Sequence, residues 1–291
     1  MCRHAAYLGP PASLRSLLID PPHSLYRQSW APRRQRHGTV NADGFGIGWY
    51  AAGDPVPARY RRGVPIWGDE SLPDIARVTR SGAVLAAVRS ATAGMASGAQ
   101  AAAPFGCGPW LFSHNGAAPG WRDWAEQALA LGRRARGGSP DSAGPAGAGP
   151  GVLSGLEALV DSALLWALVL DWLRAGCDLG AALSGTIEAV AAAGGTGRFN
   201  LLLTDGRSIA ATACGDTFCY RQTGGAVTVA SEPDDDGPGW TQVPDRQLLT
   251  ATADAVTVRP LAGPGPADRQ PRTPIAARTD SDVSTEGIVI A

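Results

Sequence analysis

The order of elements along this 291-residue chain predicts an α+β fold in which helices pack on antiparallel sheets, with two sheets between two helical layers as the natural arrangement. Three observations carry that prediction. The N-terminal part reads as short strands punctuated by glycine and proline. Residues 153–193 then carry a helical apolar pattern in two pieces. From Phe199 onward the apolar period drops to two, with turn dipeptides between the runs.

Residues 2–8 read as a short strand, stopped by Gly9-Pro10-Pro11. Ser13 is a suitable N-cap for a short helix over 14–19, which Asp20-Pro21-Pro22 ends. Residues 23–38 read as an ordered loop with Trp30 and the basic run Arg33-Arg34-Gln35-Arg36-His37, better taken as a solvated loop than as a phosphate site. In the stretch 41–50, glycines alternate with large apolar residues, which suits a strand closely approached by another backbone or a ligand. No Lys-Ser/Thr follows those glycines, so they form no phosphate loop. A strand at 58–62 and a helix at 70–78 follow. Residues 82–89 and 110–114 are apolar strands that end in Arg89 and in His114-Asn115-Gly116. Residues 131–151, rich in Gly, Ala, Ser, Pro and Arg, read as a flexible surface insertion.

Helices are expected over 153–174 and 179–193, closed by Gly194-Gly195. Strands at 199–204, 208–213, 217–221 and 226–230 read as a meander, with a further pair near 246–249 and 255–258. Residues 261–291 are dominated by Pro, Gly, Asp, Arg and Thr and read as a disordered tail after one domain, 1–260.

Composition narrows the function. Apolar residues are 44%, charged residues 18% and the net charge is −1, so the basic footprint of a nucleic-acid binder is missing. No uncharged apolar run approaches the length of a membrane span, and no basic region followed by an apolar core marks a signal peptide. Five cysteines, an odd count without a CxxC pair, point away from a zinc site or disulfide framework and toward a reducing cytoplasm.

Cys2 is where the chemistry starts. Trimming of Met1 leaves it with a free α-amine, so one residue holds a nucleophile and a base that both titrate near neutral pH. The alternative is a cysteine that merely packs in a strand. Arg89 at a strand end suits a bidentate grip on a carboxylate, or a surface ion pair. Asn115 and Gly116 offer an amide side chain and a backbone N–H for an oxyanion, or simply a turn. Asp161 stands in an apolar helical stretch, where it either meets an ammonium group or caps the helix.

Cys2 behind Met1, Asn41-Ala42-Asp43-Gly44-Phe45-Gly46, Arg89-Ser90-Ala91-Thr92, His114-Asn115-Gly116 and Asp161 together resemble the class II glutamine amidotransferases, a branch of the N-terminal nucleophile hydrolases. The opening Met1-Cys2-Arg3-His4, Ala31-Pro32-Arg33-Arg34-Gln35, Thr92-Ala93-Gly94-Met95, Asp161-Ser162-Ala163, Gly215-Asp216-Thr217 and Ala230-Ser231-Glu232-Pro233 resemble more closely the amidohydrolases of ergothioneine biosynthesis. The resemblance runs from residue 1 to about 260.

It implies the four-layer α/β/β/α sandwich and hydrolysis of the γ-glutamyl amide of γ-glutamyl-hercynylcysteine sulfoxide, a small-molecule substrate, with no metal or organic cofactor. By the same resemblance Cys2 would be the nucleophile and its amine the base, with Asn115 and Gly116 as the oxyanion hole. Arg89 would hold the glutamyl carboxylate, Thr92 would support that side, Asp161 would bind the ammonium, and His114 would have a supporting role. Ala93 departs from the histidine that many glutaminase-type members carry, which favours a γ-glutamyl hydrolase over the alternative, a glutaminase subunit supplying ammonia to a partner synthase. For the trimethylammonium end of that substrate, Trp30, Trp49, Tyr50 and Trp67 are candidate aromatic partners and Asp43 or Glu232 candidate charge partners.

Overall fold

The computed structural model describes residues 2–91, 96–137 and 152–261. The elements run β1 (Arg3–Ser13), α1 (Leu14–Leu18), α2 (Leu25–Gln28), β2 (Phe45–Trp49), β3 (Ala58–Arg62), α3 (Leu72–Val78), β4 (Arg80–Val88), β5 (Phe105–Cys107) and β6 (Trp110–Ala117). They continue with α4 (Trp121–Ala135), α5 (Asp161–Arg174), α6 (Leu179–Ala192), β7 (Arg198–Thr204), β8 (Ile209–Ala213), β9 (Cys219–Thr223), β10 (Ala226–Ala230), β11 (Thr241–Gln242), β12 (Gln247–Ala251) and β13 (Val256–Pro260).

Two antiparallel sheets result. One has the order β11-β9-β10-β1-β4-β2-β3, the other β13-β12-β8-β7-β6-β5. Ala6, Leu8 and Leu85 of the first sheet meet Leu111, Leu202 and Ala211 of the second in the inner core. The outer face of the second sheet carries Phe112, Leu201 and Leu203 against Trp121, Leu164 and Leu183 of α4, α5 and α6. The outer face of the first carries Phe45, Ile47 and Ala86 against Leu14, Leu25 and Leu72 at α1, α2 and α3. The expected α/β/β/α order of layers is therefore present, with both long helices of residues 153–193 on one side.

Several local expectations change. Gly9-Pro10-Pro11 does not end β1. The strand shifts register between Leu8 and Ala12 and resumes opposite Ser81 and Arg80. A bulge tolerates proline because the ladder hydrogen bond is already interrupted there. The helix foreseen from 153 begins at Asp161, after a 3-10 turn at Val152–Gly155.

Residues 131–135 belong to α4, and 138–151 lie outside the described residues, as do 262–291 of the expected tail. Trp121, Trp124, Ala125, Ala128 and Leu129 form one buried helical face that runs straight into the Gly/Arg-rich segment. The meander is split: β7 and β8 pair in one sheet, β9 and β10 in the other. The glycine-alternating strand is as expected, since a Cβ at Gly46 would collide with the carbonyl oxygen of Ala103.

Phe112 is fully buried and stacks on Trp166, with centroids 5.5 Å apart, where β6 meets α5. Phe112→Ala should cost about 3–5 kcal/mol in urea unfolding, the usual cost of emptying a tightly packed aromatic site. A loss under about 1 kcal/mol would mean that this layer is loosely packed.

Candidate active site

Strand β1 lies in the middle of its sheet, antiparallel to both β4 and β10. Its first residue, Arg3, pairs with Val88, the last residue of β4. That register brings Cys2 to the sheet end where Arg89 leaves β4. The Asp43 N–H donates to the Arg89 carbonyl, and the Arg89 N–H to that of Gly44. Arg89 is 8% exposed, and its guanidinium donates to the carbonyls of Asp43 (3.3 Å) and Ala96 (2.8 Å). It is therefore an oriented, largely dry cation rather than a surface ion pair.

The opposing wall comes from β6. His114, Asn115 and Gly116 are not a turn: they pair with Leu201, Asn200 and Phe199 of β7. The backbone nitrogen of Cys2 donates to Asn115 Oδ1 at 3.2 Å, across the gap between the sheets. The Asn115 Nδ2 group lies 3.4 Å from Ser231 Oγ. Ser231 in turn receives the His4 N–H at 3.1 Å and donates its own N–H to the His4 carbonyl. The buried amide of Asn115 thus has its orientation fixed at both ends. Gly116 is required by close approach, because a Cβ there would run into the Arg198 carbonyl.

Asp161 opens α5, with Oδ2 accepting the Ala118 N–H (3.0 Å) just past β6 and Oδ1 accepting the Ser162 N–H (2.8 Å). Beside it, His114 Nε2 faces the Arg198 carbonyl at 2.9 Å and Nδ1 faces Ser162 Oγ at 3.0 Å. A carbonyl only accepts, so Nε2 carries a proton toward Arg198, while Nδ1 shares a hydrogen bond with Ser162 Oγ, which also lies 3.3 Å from Asp161 Oδ1. His114 therefore ties β6 to the start of α5, where Asp161 stands.

Two residues behind Cys2 are buried without trace of exposure. The Arg3 guanidinium donates to Gln35 Oε1 (3.1 Å) and Thr217 Oγ1 (3.3 Å), and burial lowers its pKa against the fields of Glu232 and Asp216. His4 sits 3.1 Å from Ser113 Oγ and edge-on to Phe218. Burial, helped by Arg3 and His114, holds its pKa well below the ordinary 6.5, so the ring is neutral.

The structure brings Cys2, Asn115 and Gly116 into one site, with Arg89 beside them by register and Asp161 joined through His114 and Ala118. Thr92 and Ala93 lie outside the described residues. Two partners had no role assigned from sequence: Ser231, which holds Asn115, and Ser162, which holds His114. Each sits inside a motif quoted above, yet a lone serine carries no signal of what it faces.

Glu232 is not a free charge partner. It is 1% exposed and its carboxylate accepts the backbone N–H groups of Arg33 and Arg34. The Asp43 carboxylate accepts the Ala91 N–H at 2.7 Å. Among the described residues no three His, Cys, Asp or Glu side chains gather to hold a metal ion, and no helix is long and apolar enough to cross a membrane.

A half-exposed thiol and its own backbone nitrogen, an anchored amide, a dry guanidinium and a helix-start carboxylate are the parts that amide hydrolysis at a glutamyl group needs. A glutamine aminotransferase class-II domain protein from Silicibacter pomeroyi has the same fold, with a TM-score of 0.56 over 90% of this chain and 100% of that one at 24% identity. The architecture is thus the fold of a glutamine aminotransferase class-II domain. No protein-family model matches the chain.

Curated relatives narrow the class. The chain is 41% identical over 261 residues to the γ-glutamyl-hercynylcysteine sulfoxide hydrolase of Mycolicibacterium smegmatis, covering 90% of this chain and 100% of that protein. It is 40% identical to the enzyme of the same name from Mycobacterium tuberculosis, covering 90% and 97%. It belongs to the γ-glutamyl-hercynylcysteine sulfoxide hydrolase family.

His4 makes stability depend on pH. Its folded pKa is depressed, so the unfolded chain binds the extra proton. This contribution is intact above about pH 6.5 and erodes as pH falls below it. Native protein should lose thermal stability between pH 7.5 and 5.5, and a folded His4→Asn variant should lose less over that interval. Equal slopes for the two proteins would exclude His4 as the source.

Proposed function

We propose that this enzyme hydrolyses the γ-glutamyl amide bond of γ-glutamyl-hercynylcysteine sulfoxide, releasing glutamate and hercynylcysteine sulfoxide. The observation that carries the reading is the relation, over 90% of this chain, to hydrolases of that name. The hydrogen bond from the Cys2 nitrogen to Asn115 supports the assignment of residues.

In this mechanism Met1 is removed and the freed α-amine of Cys2 takes the thiol proton. The sulfur attacks the γ-carbonyl carbon, and the carbonyl π electrons move onto oxygen. The Asn115 Nδ2–H and the Gly116 N–H receive that oxyanion. The Cys2 ammonium returns its proton to the departing nitrogen as the C–N bond breaks, leaving a γ-glutamyl thioester. Water, losing a proton to the same amine, adds to the thioester carbonyl, and the thiol leaves with glutamate formed. Arg89, with Thr92 on the same side, holds the α-carboxylate of the glutamyl group, and Asp161 its ammonium. His114 positions Asp161 through Ser162. Every step uses groups of the chain itself, the α-amine and a backbone N–H among them, and water. The five unpaired cysteines support a cytoplasmic setting for this chemistry.

Glutamate release from γ-glutamyl-hercynylcysteine sulfoxide and from glutamine, measured side by side, tests the reading. The sulfoxide should be cleaved and glutamine turned over slowly. Asn115→Ala should lower kcat by about a hundred- to a thousand-fold with KM little changed, as loss of an oxyanion donor does elsewhere. Cys2→Ala should be inactive, and intact mass should show Met1 absent from active protein. Rapid glutamine hydrolysis without sulfoxide cleavage would instead make the protein an ammonia-supplying glutaminase.

A further inference from the structure

The leaving half of the proposed substrate ends in a histidine-derived trimethylammonium group, which is bulky, cationic and weakly hydrated. Aromatic faces attract such groups, by roughly 0.5–2 kcal/mol each. Of the four aromatic residues that the sequence offers for this task, the fold separates two from the rest.

Tyr50 and Trp49 stand at the wrong end of their strand. Trp49 pairs with Ala58 and Val84, away from Arg89, and packs into the core beneath α1 and α3. Tyr50 is placed by carbonyls: its hydroxyl lies 2.6 Å from the Pro109 oxygen and 3.1 Å from that of Thr204.

Trp30 and Trp67 stand at the other end. Phe45 opens β2 there and pairs with Arg62, the last residue of β3, and with Val88, which also pairs with Arg3. Trp67 follows Arg62 in a short 3-10 turn, Ile66–Gly68. Trp30 follows α2 and leads into residues 31–40, a strap fastened next to Cys2. The Asn41 side chain donates to Gln35 Oε1, and Arg3 donates to the same oxygen.

The two rings lie 5.7 Å apart between centroids with their planes at 87°, so they form two sides of a corner. Tyr26 braces Trp30 from below at 5.2 Å and 88°. Both tryptophans nevertheless stay open, at 38% and 40% exposure, although tryptophan is among the most buried residues on average. The guanidinium of Arg27 stands 5.9 Å from the Trp30 centroid, near the outer limit of a cation–π contact. One face of the pair is thus within reach of a cation of the chain itself.

We infer that Trp30 and Trp67 form the aromatic corner that receives the trimethylammonium end of the leaving group and so set the enzyme's preference for it. The inference rests on the function proposed above and adds a specificity site to it. The attraction comes from the rings, since the Glu232 carboxylate is already taken up by the backbone of Arg33 and Arg34.

The test uses the full chain with Trp30→Leu and Trp67→Leu, which keep apolar bulk and remove the π face, and Trp30→Phe and Trp67→Phe, which keep a ring. Each is assayed on γ-glutamyl-hercynylcysteine sulfoxide and on γ-glutamyl-S-methylcysteine sulfoxide, which retains the scissile amide and sulfoxide without the cation. The leucine variants should lose roughly 3- to 30-fold in kcat/KM on the first substrate, mostly in KM. They should stay within about twofold of the parent on the second, and the phenylalanine variants should recover most of the loss. Equal losses on both substrates, or none on either, would overturn the inference. A parent enzyme that cleaves neither substrate would instead overturn the proposed function, before any variant is compared.

Discussion

A hydrogen bond from the Cys2 nitrogen to Asn115 Oδ1, at 3.2 Å, joins the two sheets at the site. Cys2 heads a strand in one sheet and Asn115 lies within a strand of the other, so the site exists only when the sheets face each other in one alignment. The buried contacts behind it enforce that alignment. His4 reaches Ser113 of β6, and Ser231 ties the His4 backbone to the Asn115 side chain. Hydrogen bonds in such a dry interior are costly to leave unmade, which makes the arrangement specific rather than merely stable.

Electrostatics are arranged with the same economy. The charged groups at the site are partly shielded from water but not free to wander. Backbone carbonyls orient Arg89, backbone N–H groups orient Asp161, and the His114 ring connects β6 to the start of α5. Fixed dipoles need no reorganisation when charge develops, which is why backbone groups serve well as supports.

The sequence disclosed much of this, unevenly. Strand β8, buried at every position, strand β10, whose burial nearly alternates, and the apolar face of α6 were legible because burial dictates them. Asn115-Gly116 misleads as a turn because the dipeptide is favoured wherever glycine is needed, and here glycine is needed for close approach of β7. The prolines in β1 mislead because a bulge is a property of two strands, not one. Helix α4 was not legible at all: no helix is expected over 121–130 from the sequence, and its last turn reads as part of the insertion because of its glycine and arginine content. The members of the site were named through their resemblance to a family; no spacing in the chain could show that Ser231 would stand beside Asn115.

The placement of β1 has a consequence for how the protein is made. The His4 backbone exchanges hydrogen bonds with Ser231, 227 positions away, and β1 pairs with β10 over Ala5–Leu8. Contacts of such long range form late, because the loop they close must be paid for first. During synthesis the head of the chain leaves the ribosome well before its partner strand exists. The trimming of Met1 that the proposed mechanism requires would fall in that interval. Once β10 pairs with β1, Cys2 is held between the sheets by its hydrogen bond to Asn115.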